Sequence, residues 1–192
     1  MKEELDRKYK VINMMITMHS IMHHRYKIKS LIGNIFFLVT AVILNVFTFF
    51  DYKYLSFLQL QADNIKNIVA ISSFTIFLLS IIFMLVEWAK RSEKHELAIN
   101  QLSRLLNELR LIQKIENADA LSIKLDLFNE LYNLSFDTIP KIPNNKFNSL
   151  KAKHYQKIEL SKFIDDHKGK TFFVIRILFF YNKTFTKNEN RN

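Results

Sequence analysis

Four groups of side chains in this chain have types and spacings that can do chemistry. His19 and His23 stand four residues apart, which places two imidazoles on one helical face where they can share a metal ion. No third ligand lies near them, and their Met-rich surroundings suit packing or an interfacial position, so no metal is expected. Lys151, Lys153, His154 and Lys157 form a basic cluster. Several ammonium groups together offset a nucleotide phosphate or the headgroups of anionic lipid. Tyr155 is the only clear stacking partner and there is no Arg fork, so a solvated or lipid-facing surface is the competing reading. Asn34, Ala41, Asn45 and Thr48 follow steps of seven, four and three, and Ser73, Ser80 and Glu87 recur every seven. Each set reads as a polar or small-residue stripe along one helix. Such a stripe either lets helices approach and hydrogen-bond or lines a water-filled path between copies. Finally, His95 lies between Glu93 and Glu96, which by default is a solvated, charged face. No Ser or Asp joins these histidines in a nucleophile motif. No catalytic residue, cofactor or enzymatic activity is expected.

Composition narrows the chemistry further. The 192 residues contain two Gly and two Pro, against roughly 13 and 10 in an average protein of this length. Few turns can be built from that stock, so long helices are favoured over sandwiches and barrels. Gly33 and Gly169 cannot form a phosphate-cradling loop, which needs several bare backbone N–H groups. Cysteine is absent, which removes disulfides, thiolate catalysis and Cys-based zinc sites. A net charge of +10 points to a polyanion, either nucleic acid or anionic lipid. The apolar segments favour lipid, and no nucleic-acid partner is expected.

Those polar stripes lie in two uncharged runs, Leu31 to Phe50 and Ile68 to Val86. Twenty helical residues rise about 30 Å, the thickness of the hydrocarbon core. The chain therefore reads as an all-α membrane protein built on a two-span hairpin, residues 31–86. Arg25, Lys27 and Lys29 precede the first span, and Lys90, Arg91 and Lys94 follow the second. The loop between has only Lys53 and Lys66, offset by Asp51 and Asp63. The positive-inside rule then puts both termini in the cytoplasm. Tyr52, Tyr54 and Trp88 read as interfacial aromatics.

Past Val86, Ala98, Leu102, Leu105, Leu109 and Ile112 make a heptad-like seam, widened by Ile99 and Leu106. No Gly or Pro intervenes, so the spacing predicts one unbroken helix from the second span to about Gln113. Such a rod would move the span and a cytoplasmic helical bundle together. Residues 1–30 read as an amphipathic helix with Leu5, Tyr9, Ile12, Ile16, Met22 and Tyr26 on one face. Residues 87–182 read as the cytoplasmic helical extension. In it, one helix carries Leu121, Leu125, Phe128 and Tyr132. "IPKIP" at 139–143 breaks that helix, and another follows, capped by Asn145 and packing Phe147, Leu150, Ile158 and Ile164. Thr171 to Tyr181 is too short to span and carries Arg176; it reads as an interfacial or bundle-covering helix, with a β-strand as the alternative. Residues 183–192 read as a polar, disordered tail.

The segment "WAKRSEKHELAINQL" resembles the stretch after the second span in SLATT domains. "IPKIPNNKFNSLKAKHYQKIELSKFIDDHKGK" is similar to their later region. SLATT domains are two-span units with a helical cytoplasmic extension, found in bacterial conflict systems beside nucleotide-second-messenger synthases or nucleotide-sensing domains. The resemblance implies an inner-membrane effector that oligomerises into a pore and kills or arrests an infected cell. It also implies a nucleotide second messenger, or a neighbouring nucleotidyltransferase or sensor protein, as a partner. It supplies no catalytic residues. A non-conducting anchor or scaffold for a partner enzyme is the alternative, and a membrane-bound hydrolase ranks last.

Overall fold

The computed structural model describes residues 2–49, 62–115 and 118–189, with side chains described over 3–46, 67–115 and 121–182. Tyr52 and Tyr54 lie outside the described residues, as does the side chain of Thr48. Six helices account for the regular structure of the described residues: α1 (Lys2–Phe49), α2 (Ala62–Val86), α3 (Trp88–Ile112), α4 (Ala118–Thr138), α5 (Asn144–Asp166) and α6 (Phe172–Glu189). Two of them, α1 and α2, contain stretches long and apolar enough to cross a membrane, and among the described residues neither apolar window has a buried residue.

Continuity falls on a different helix from the one expected. α1 runs 48 residues without a break, about 72 Å at 1.5 Å per residue. The amphipathic N-terminal segment and the first apolar span are thus one helix. The expected rod from Ile68 to Gln113 is instead interrupted at Glu87, whose φ is 50°. Glu87 closes α2 by donating its N–H to the Met84 carbonyl, at 3.3 Å, and opens α3 by accepting from the Arg91 N–H, at 3.0 Å. One residue therefore ends one helix and caps the next. A left-handed conformation costs an L-residue roughly 1–2 kcal/mol, which is why the sequence, lacking Gly here, gave no sign of it.

The chain forms two compact units. One comprises residues 1–19 with 100–192. Its core contains Leu5, Ile12 and Met18 of α1, the seam Leu102, Leu105, Leu109 and Ile112 of α3, and Phe128, Leu150, Ile175 and Phe179. The heptad-like reading of α3 holds: every seam position is buried, Ala98 included. Gln113 and Arg110 reach Asp6 and Tyr9, so these parts of α1 and α3 run antiparallel. The "IPKIP" break separates α4 from α5 as expected. α5 begins one residue before the expected cap: Pro143 is the N-cap, no side chain caps the helix, and the Pro143 carbonyl accepts from Lys146 and Phe147. Gly169, at φ 96°, turns the chain into α6, and residues 172–182 are helical rather than strand. α6 continues to Glu189, past the point where the polar tail was expected to begin.

The other unit comprises residues 20–99. Its two apolar helices meet where Gly33 faces the Phe83 ring. A β-carbon at Gly33 would collide with that ring, so only Gly allows this approach. Phe37 and Trp88 pack edge-on against Phe83, each with centroids 5.1 Å apart, and the Lys29 ammonium lies 5.8 Å from the Trp88 ring. Next to these, His23 and Ser92 pair reciprocally. The Ser92 hydroxyl donates to the His23 carbonyl at 3.1 Å, and His23 Nδ1 lies 3.0 Å from the Ser92 carbonyl, which assigns the proton to Nδ1. Tyr26 stacks on His95 at 5.6 Å. His95, expected on a solvated face, is buried.

Candidate ligand-binding cleft

Of the four basic-cluster residues, the structure brings two to a cleft and leaves two outside it. Lys151 and His154 line a cleft of about 660 Å³ together with Tyr155 and Ile158 of α5 and Tyr9, Lys10, Val11, Asn13 and Met14 of α1. Lys153 and Lys157 are exposed and line no part of it. The helical period explains the division. Positions 151, 154, 155 and 158 follow steps of three, one and three, which is one face, and 153 and 157 fall on another.

His154 anchors the floor. It is 5% exposed, and its Nδ1 lies 3.1 Å from the Thr17 hydroxyl, which itself donates to the Asn13 carbonyl. That order makes Thr17 the acceptor from His154 Nδ1–H. Burial lowers the His154 pKa below the ordinary histidine value, and the nearby Lys157 charge lowers it further, so the ring is held neutral. His154 is therefore a structural member of the cleft rather than one of four free cations.

Both rings of the cleft have a cation beside them. The Lys151 ammonium lies 6.0 Å from the Tyr155 ring centroid, and the guanidinium of Arg110, which does not itself line the cleft, lies 5.8 Å from that of Tyr9. Arg110 also donates to the Tyr9 hydroxyl at 3.4 Å. Lys10 and Lys151 supply positive charge, Asn13 an amide, and Val11, Met14 and Ile158 an apolar surface; among the described residues no carboxylate lines the cleft. Such a lining suits an anion with a flat or apolar part. Sequence reasoning placed Tyr9 on the apolar face of the first helix and Lys10 among the cations before the first span, missed both as site residues, and did not single out Asn13. Their mutual spacing is helical, but only the approach of α5 distinguishes them from the rest of α1.

The stripe residues are placed as follows. Asn34 and Asn45 are exposed, and Ser73 and Ser80 are half-buried. Asn45 Nδ2 donates to the Ala41 carbonyl at 2.8 Å, Ser73 to Val69 at 2.8 Å and Ser80 to Phe77 at 2.7 Å. Each of these polar groups thus has a carbonyl partner within its own helix. Asn34 lines a smaller cleft of about 290 Å³ with His23, Lys27, Ser30, Ser92, Glu93 and Glu96 among its walls. Glu87 sits at the left-handed residue between α2 and α3, outside the regular helix that carries Ser73 and Ser80. Its exposed carboxylate pairs instead with Lys90 at 3.2 Å. Among the described residues, no three His, Asp or Glu side chains gather as metal ligands.

The chain matches no family model, no curated protein and no solved structure.

Proposed function

We propose that this protein is a bacterial inner-membrane effector that assembles with copies of itself and permeabilises the bilayer. In this reading residues 31–86 form the hairpin, both termini are cytoplasmic, and the helical extension gathers into a cytoplasmic bundle. The observation that carries it is the surface of α1 and α2. No residue of their apolar windows is buried among the described residues, and the polar position Asn45 is exposed. An exposed amide in a lone hairpin would meet lipid, so a partner or water is the more favourable neighbour. The resemblance to SLATT domains supports the same reading. The cleft of Tyr9, Lys10, Lys151 and Tyr155 is then the place for a regulatory ligand, a nucleotide second messenger in the first instance.

One observation favours a non-conducting anchor or scaffold instead. Asn45, Ser73 and Ser80 each bond to a carbonyl of their own helix, which reduces their need for water. Induced expression with growth and dye-entry measurements separates the two. The effector reading expects arrested growth with dye entry, and Asn45→Leu is expected to reduce entry while crosslinked oligomers persist, because an apolar constriction dewets. Normal growth with an intact dye barrier, in cells that also contain the activating partner, supports the anchor.

A further inference from the structure

α6 is the apolar element that neither the spans nor the cleft accounts for. One face docks on the rest of its unit: Ile175 and Phe179 are buried, and Phe179 meets Phe163 edge-on at 5.6 Å. A surface helix docked in this way is normally polar on the opposite face. Here that face carries Phe173, Ile177, Phe180 and Tyr181, all exposed, with Phe173 at 71%. The apolar part, Phe172 to Asn182, is too short to cross a hydrocarbon core of about 30 Å. Charge identifies what covers it. From Lys168 to Glu189, the end of α6, the sequence holds five cations, Lys168, Lys170, Arg176, Lys183 and Lys187, against one carboxylate, the terminal Glu189. The Arg176 guanidinium lies 6.0 Å from the Phe180 ring, beside the apolar face rather than within it. Aromatic side chains on one face with cations along the flank are the composition of a helix lying in the headgroup region of an anionic bilayer.

We infer that α6 is an interfacial helix that inserts Phe173, Ile177, Phe180 and Tyr181 into the surface of an anionic leaflet while Ile175 and Phe179 hold it to the protein. The bilayer that receives α1 and α2 is within reach of the same chain, so the contact forms at high effective concentration. The inference does not depend on whether the protein conducts.

The absence of cysteine makes the test direct. Single-cysteine variants Phe173→Cys and Ile177→Cys of the full chain are spin-labelled in nanodiscs of phosphatidylcholine with phosphatidylglycerol. Lys153→Cys on exposed α5 serves as the water-facing reference. Both substituted α6 positions are exposed, so the docking face is untouched. The labels at 173 and 177 are expected to collide severalfold less with a water-soluble nickel chelate than the reference does, and severalfold more with oxygen. The protection is expected to weaken in pure phosphatidylcholine. Access to the nickel chelate equal to that at position 153 overturns the inference. So does shielding from oxygen and nickel chelate together, which would mean that protein, such as a second copy, covers the face. Protection independent of anionic lipid overturns the assignment of charge as the selecting feature.

Discussion

Glu87 shows how much one residue decides. Its left-handed backbone separates α2 from α3, and its exposed pairing with Lys90 contributes little to holding it there. Glycine adopts this conformation freely, whereas a β-branched residue resists it most. Glu87→Gly is therefore expected to keep stability or raise it by up to about 1 kcal/mol, and Glu87→Val to lower it by roughly 1–2 kcal/mol. Denaturation of the full chain in detergent measures both. Equal stability of the Val variant would show that the turn at 87 does not persist in solution. His154 sets a second residue-scale expectation. Its folded pKa lies below the unfolded value of about 6.5, so the unfolded chain binds the extra proton first. The contribution is complete above that value and is lost as pH falls toward the folded pKa. His154→Gln keeps a donor for Thr17 and is expected to flatten the loss of melting temperature between neutral and mildly acidic pH. An unchanged pH profile in that variant would place the sensitivity elsewhere.

At the scale of elements, the helices divide by what they bury. The α3 seam is legible from spacing alone because each of its positions points into one interior. α1 changes role along its length: residues up to Met22 bury one face, and from Leu31 to Val46 every described residue is exposed or half-buried. The close approach of α1 and α2 rests on Gly33 against Phe83. Gly33→Leu is expected to force the helices apart at an overpacking cost of about 1–3 kcal/mol, visible as weaker protease resistance in detergent. Adding Phe83→Ala should restore much of it, since the ring is what the new side chain meets. If the double variant is no better than the single one, the two residues do not share this contact.

For the whole molecule, charge is what carries the expected orientation. The cations before Leu31 and after Val86 outnumber those between the spans, and that asymmetry predicts both termini inside. Reporter fusions are expected to read outside at Gln61 and inside at Asn192. A cytoplasmic signal at Gln61 would reverse the hairpin and with it the leaflet available to α6.

What the sequence by itself determined are the features that repeat at short range. Two uncharged runs of spanning length, the buried seam from Ala98 to Ile112 and the Pro-marked break at 139–143 each depend on neighbours within a turn or two of helix. Periodicity and breaker residues report those directly. Tertiary structure alone decided the rest. The cleft joins Tyr9, Lys10 and Asn13 to Lys151, His154 and Tyr155 across more than a hundred residues of chain, and no local pattern encodes which helix faces meet. His154 looked like a free cation beside three lysines, and packing against Thr17 made it a neutral, buried one. Glu87 breaks a helix without Gly or Pro at a conformational cost of roughly 1–2 kcal/mol, which propensity does not record.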